Sequence, residues 1–278
     1  MIGFSIPLLE SPLRVGRAPG FLRQSLFLLG EFTRRDFKGR YAGSALGFLW
    51  SFVQPLWSLA LFTFLFSTVM KVSPGIGERT DNFAIFLFCG LLPWMAIQEG
   101  ITRSTTAITD NSGLVKKMSF PSGLLVLAVV LAALLHEAIA AGLFLVILGI
   151  TGHLSLAGLP VLLVAIPLQI ALTVGLGFLV ASVHVFVRDT AQIIAMLTMG
   201  WFYVTPIVYP IDLVPYELRP IMEINPLTVL VTLYREAFLG GGMLPIKALL
   251  PLVAAAAISL GVGTWFFFRL KPAFADEI

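Results

Sequence analysis

From residue 122 to residue 150 the chain reads SGLLVLAVVLAALLHEAIAAGLFLVILGI, and within it only His136 and Glu137 can carry a charge. A helix crosses the hydrocarbon core of a bilayer in roughly 20 residues, so this run is long enough to span. Several other runs approach or exceed that length. They are continuous, whereas a membrane barrel needs alternating segments of about 10 residues. The composition agrees: 58% of residues are hydrophobic and 12% are charged, about half the charged share of a soluble domain. The chain is predicted to be an all-α, multi-pass membrane protein.

Six spans are predicted, at about 44–70, 82–98, 122–150, 159–187, 190–209 and 245–268. Gln54–Pro55 should bend the first span, and Gly90 and Pro93 are kink points in the second. Residues 1–20 hold Pro7, Pro12 and Pro19 and read as an extended arm. From 21 to 41, Phe21, Leu22, Leu26, Leu29, Phe32 and Phe37 form an apolar face beside Arg23, Arg34, Arg35, Lys38 and Arg40. That pattern predicts an amphipathic interface helix on anionic headgroups; a basic flank orienting the first span is the other reading. The domains are then an arm and interface helix (1–43), a transmembrane domain (44–268) and a charged tail (269–278). No cleavable signal peptide is expected, because the first long apolar run starts near Ser44.

Six crossings put both ends of the chain on one side. That side holds Arg14, Arg17, Arg23, Arg34, Arg35, Lys38, Arg40, Arg103, Lys116, Lys117, Arg188, Arg269 and Lys271. The other holds Lys71, Arg79, Arg219, Arg235 and Lys247. Thirteen of the 18 bases on one side predict cytoplasmic termini by the positive-inside rule. The net charge of +3 is therefore read as a topological bias and not as a nucleic-acid footprint.

Residues 99–121 are the polar island between the second and third spans, on the predicted cytoplasmic side. Residues 101–111 are rich in Ser and Thr, poor helix formers alone, and Ser112–Gly113 should interrupt them. Leu114, Val115 and Met118 then give a short apolar face beside Lys116 and Lys117. No G-x-x-x-x-G-K-[ST] motif is present, so uphill transport would draw on a partner or an ion gradient. These five residues are the expected surface for docking a motor; a solvated connecting loop is the alternative.

Between 210 and 242, Pro215, Pro220 and Pro226 break up a charged stretch, and residues 227–239 are too short to span. Two short re-entrant or interfacial helices hinged at Asn225–Pro226 are predicted. His136, Glu137 and the lone Cys89 lie within spans. His136, His153 and His184 are too scattered to hold a metal, and Cys89 reads as a buried structural thiol. An ionisable residue at membrane depth is a functional candidate. His136 and Glu137 either belong to a proton path or bond polar groups on neighbouring spans. Trp50, Trp57, Phe62, Trp201 and Tyr203 are candidates for lining a carbohydrate conduit, since aromatic faces stack on sugar rings. Interface anchoring and packing are the competing readings.

Four passages together resemble the polysaccharide-export permeases of ABC transporters. They are Arg40–Tyr41, Gly43–Ser44, Leu46–Gly47, Leu49–Trp50 and Pro55; Leu114–Val115–Lys116–Lys117 with Phe120–Pro121; Phe186, Arg188–Asp189 and Pro206; and Asn225–Pro226 with Arg235. The resemblance is to the group exporting O-antigen, capsule or teichoic-acid chains. It implies a homodimer in the cytoplasmic (inner) membrane with two cytoplasmic ATPase subunits, which bind ATP and Mg²⁺, so that this chain needs no cofactor and is not an enzyme. It also implies a conduit lined partly by spans one and five, through which a lipid-linked polysaccharide passes. The short helices carrying Asn225, Pro226, Tyr234 and Arg235 would form an outward gate. Two rival functions are an ion-coupled carrier using Glu137 and a membrane-embedded enzyme using Asp212, Glu217 or Glu223.

Overall fold

The computed structural model describes residues 19–40, 43–71, 80–117, 120–240 and 246–278. The expected arm up to residue 18, Tyr41, most of the loop after the first span and Met118 lie outside the described residues. The described chain is helical: α1 (Pro19–Gly39), α2 (Trp50–Phe62), α3 (Phe83–Thr106), α4 (Ser112–Val115), α5 (Gly123–Ile150), α6 (Leu162–Phe186), α7 (Thr190–Val204), α8 (Arg219–Ile224), α9 (Pro226–Leu239), α10 (Ile246–Leu270) and α11 (Phe274–Glu277). Among the described residues, five helices are long and apolar enough to cross a membrane: Gly47–Phe66, Phe83–Thr106, Gly123–Ile150, Leu159–Phe186 and Ile246–Glu277.

The fifth predicted span differs. It forms α7, a shorter apolar helix of 15 residues, about 22 Å long at 1.5 Å per residue. Pro206 explains the early stop. A proline disfavours helical backbone in the residue before it, and Thr205 is extended at φ −91°, ψ 134°. Pro55 does not end α2, which continues through it. The helix type of the first span changes at Thr63–Val69, a π-helical segment where Met70 N–H donates to the Leu65 carbonyl at 2.9 Å.

α3 is the centre of the bundle. Asn82 starts it by accepting the amides of Ala84 (3.0 Å) and Ile85 (3.4 Å), and Phe83 to Ile97 then bury most of their surface. Phe88 packs on Phe144 of α5, which packs on Phe238 of α9. α6 and α10 touch backbone to backbone: a Cβ on Gly175 or on Gly263 would collide with main-chain atoms of the opposite helix. Without a hydrophobic drive between helices in lipid, such small-residue contact is how van der Waals packing is gained. A second apolar cluster at the far end of α10 joins Phe267 and Phe274 to Ile108, Val126 and Phe178.

Two boundaries move relative to the sequence expectation. The polar island does not begin as a loop at Glu99, because α3 runs on to Thr106. Gly100, Ile101, Ser104 and Thr105 are buried there, and packing of a helical face overrides weak intrinsic propensity. Ser112–Gly113 opens α4 where an interruption was expected. The tail beyond residue 269 is likewise docked, with Phe274 fully buried.

Candidate functional site

Three elements converge on one charge cluster. Arg103 of α3 donates to both carboxylate oxygens of Asp36 in α1, at 2.7 and 2.8 Å. Glu99, one turn earlier, pairs with Arg40 just beyond α1 and lies 3.5 Å from Arg103. Arg40 also donates to Nδ1 of His136 on α5. Arginine has no acceptor to offer, so Nδ1 accepts and a neutral His136 ring carries its proton on Nε2. Two arginines and two carboxylates balance, and their side chains keep between 16% and 34% exposure. The bidentate Arg103–Asp36 geometry is the strongest form of such a pair.

The link from α3 to α5 is attached to the same helix. Arg35 of α1 donates to Asn111 Oδ1 at 2.7 Å, and Phe32 meets Phe120 edge to face, centroids 5.6 Å apart. α1 is thus a strut on α3, the link and α5. In the link, Leu114 and Val115 are half-buried against the cluster containing Phe274. Their predicted docking face is turned inward, because the docked tail offers it apolar surface. Lys116 and Lys117 are exposed.

His136 and Glu137 point to different partners, as neighbours about 100° apart on a helix must. Glu137 accepts from Gln169 Nε2 of α6 at 2.7 Å, and Gln169 Oε1 accepts from the Tyr234 hydroxyl of α9 at 2.6 Å. All three side chains are buried. This is the arrangement in which each residue bonds a polar group on a neighbouring helix; the partner of Glu137 is an amide and not a second acid.

The four residues expected to gate are all held. Asn225 caps α9 through the Leu227 amide (3.1 Å), accepts from Trp201 Nε1 (3.0 Å) and donates to Thr205 (3.0 Å). Pro226 occupies the first turn of α9, where its missing N–H costs nothing. Arg235 donates to the carbonyls of Pro206 (2.9 Å) and Ile207 (3.1 Å), and its guanidinium lies 3.6 Å from the Phe86 ring centroid.

The aromatic candidates divide. Phe62 packs against the core, and Trp201 is half-buried against Trp94 and Asn225. Trp50, Trp57 and Tyr203 are exposed, with Trp57 at 64%. Trp50 is oriented by its indole N–H, which donates to Ser44 at 2.9 Å. Sequence reasoning missed Asp36, Glu99 and Gln169 as interacting residues. The available signal was Glu99 and Arg103 four apart on one helix, and a lone amide in the fourth span.

The family model for the ABC-2 type transporter matches residues 28–239, from α1 to the end of α9. The chain belongs to the ABC-2 type transporter family. It is a transport subunit and not an enzyme. It is 30% identical over 253 residues to the O-antigen export system permease protein RfbA of Myxococcus xanthus, covering 90% of this chain and 95% of that protein. It is 31% identical to the protein of the same name from Klebsiella pneumoniae, covering 90% and 94%. The polysialic acid transport protein KpsM of Escherichia coli is 24% identical over 209 residues, 74% of this chain and 79% of that one. The ABC-2 match includes the strut, the charge cluster and the Glu137–Gln169–Tyr234 chain.

Proposed function

We propose that this chain is the membrane permease of an ATP-driven exporter that moves a lipid-linked, O-antigen-like polysaccharide across the cytoplasmic membrane. Similarity to two O-antigen export permeases over nine-tenths of the chain carries this reading. In it, six crossings place both termini in the cytoplasm, α7 and its turn make the fifth, and α8 and α9 enter and leave from the outer side. Two copies associate and two ATPase subunits bind beneath. The exposed apolar faces of α2 and α7 support pairing: only 11% of the first span is buried within one copy, and Ile193, Met196 and Tyr203 project from α7. The strut and the link, joined by Arg35–Asn111 and tied to α3 by Arg103–Asp36, form the surface on which ATPase motion acts. Trp50, Trp57 and Tyr203 then face the glycan.

The test is deletion of the gene in its own host. Loss of surface polysaccharide with lipid-linked chains accumulating inside the cell, restored by the intact gene, is the expected result. Normal surface polysaccharide after deletion would exclude the assignment. An ion-coupled carrier is disfavoured by the amide partner of Glu137.

A further inference from the structure

A cavity of about 510 Å³ opens between α8, α9 and the first turn of α10. Ile224, Val229 and Pro251 make its walls apolar, while Glu223 and Lys247 supply an acid and a base. Neither Glu223 nor Lys247 forms an ion pair or hydrogen bond among the described residues. Thr228 also lines it, with its hydroxyl oxygen closed off from the cleft. Lys247 lies in the first turn of α10 and Phe267 in the last, 20 residues or about 30 Å apart. The cavity is therefore at the opposite end of the bundle from the tail cluster.

We propose that this cleft binds a zwitterionic phospholipid with a primary ammonium in its headgroup. The phosphate rests on Lys247, the ammonium on Glu223, and the upper acyl chain on the apolar wall. Lysine is a common phosphate partner, acting as a point charge, and a carboxylate can accept the hydrogens of an ammonium. A glycan is the poorer fit, because among the described residues no aromatic side chain lines the cleft and its walls offer few hydroxyl partners. Acyl chains gain little by leaving a bilayer for an apolar wall, so selectivity comes from the two charges.

Native mass spectrometry of the full chain, delipidated and given phosphatidylethanolamine, phosphatidylcholine or phosphatidylglycerol, tests this. Phosphatidylethanolamine should be retained several-fold more than either other lipid. Lys247→Gln and Glu223→Gln should each lower its retention about tenfold, the loss of one charge-assisted contact. Lys247→Arg should keep it, and Ala248→Leu should block the cleft without changing either charge. Gel filtration of each variant checks that it remains folded. Equal retention of the three lipids, or unaltered retention in both charge variants, overturns the proposal. Displacement of the lipid by soluble phosphoethanolamine at the same concentration would also overturn it, by identifying a solute site.

Discussion

Arg103 holds Asp36 through both terminal nitrogens, at 2.7 and 2.8 Å, and so ties the last turn of α3 to an amphipathic helix 67 residues away in the chain. α1 carries exposed Leu26 and Phe27, and its basic face matches anionic headgroups, but its position on the bundle is set by this pair together with Arg40–Glu99. The C-terminal half of this helix is fastened to the α3–α5 link through Phe32 and Arg35, and Arg40 just beyond it to His136, so it moves with both.

Breaking the fork should release the strut. Arg103→Ala leaves Asp36 without its partner and should destabilise the protein by about 2–3 kcal/mol, read as a lower midpoint in thermal unfolding. Protease accessibility of α1 should rise in parallel. Arg103→Lys should recover only part of the loss, since lysine cannot form the bidentate contact. Equal protection of α1 in wild type and Arg103→Ala would show that the pair does not hold it.

Charge reversal at the link tests the motor contact. Lys116→Glu with Lys117→Glu alters two exposed side chains and should change folding by less than about 0.5 kcal/mol. Co-purification of the ATPase should nevertheless drop, and export with it. Leu114→Asp should instead lower stability, because Leu114 packs inward. Full ATPase recovery with the double reversal would remove Lys116 and Lys117 from the docking surface.

The buried chain makes a different demand. Gln169→Leu strands the Glu137 carboxylate and the Tyr234 hydroxyl and should cost about 1–2 kcal/mol, the upper range for a hydrogen bond between membrane helices. Glu137→Gln retains a carbonyl acceptor and should preserve both folding and export. Abolished export in a stably assembled Glu137→Gln protein would revive the ion-coupled reading.

Glycine contact between α6 and α10 gives the last prediction. Gly175→Ala and Gly263→Ala each drive a methyl into opposing backbone and should destabilise by about 2–3 kcal/mol. Gly142→Ala, with open space around its Cα, is the control and should be neutral or slightly stabilising. Unfolding midpoints of the three variants separate the outcomes.

Asn225–Pro226 shows what was legible locally. A capping side chain, a proline at the first helical turn and left-handed Gly240 (φ 76°) bound α9 near its expected limits. Residues 99–106 show the opposite case. Their Ser and Thr content argues against helix, yet they continue α3 because α5 and α6 bury that face.

The sequence by itself determined that this chain is helical and built for a membrane, that short helices meet at Asn225–Pro226, and that no Walker A nucleotide-binding motif is present. Those properties are written in apolar run length, caps and spacing, which act within a few turns. Tertiary structure alone decided that Arg103 finds Asp36, that Glu137 reaches Tyr234 through Gln169, and that Leu114 faces inward while Lys116 and Lys117 face out. These partners are brought together by how separate helices pack. A polar side chain on an apolar helix records that it needs a partner and not which helix supplies it.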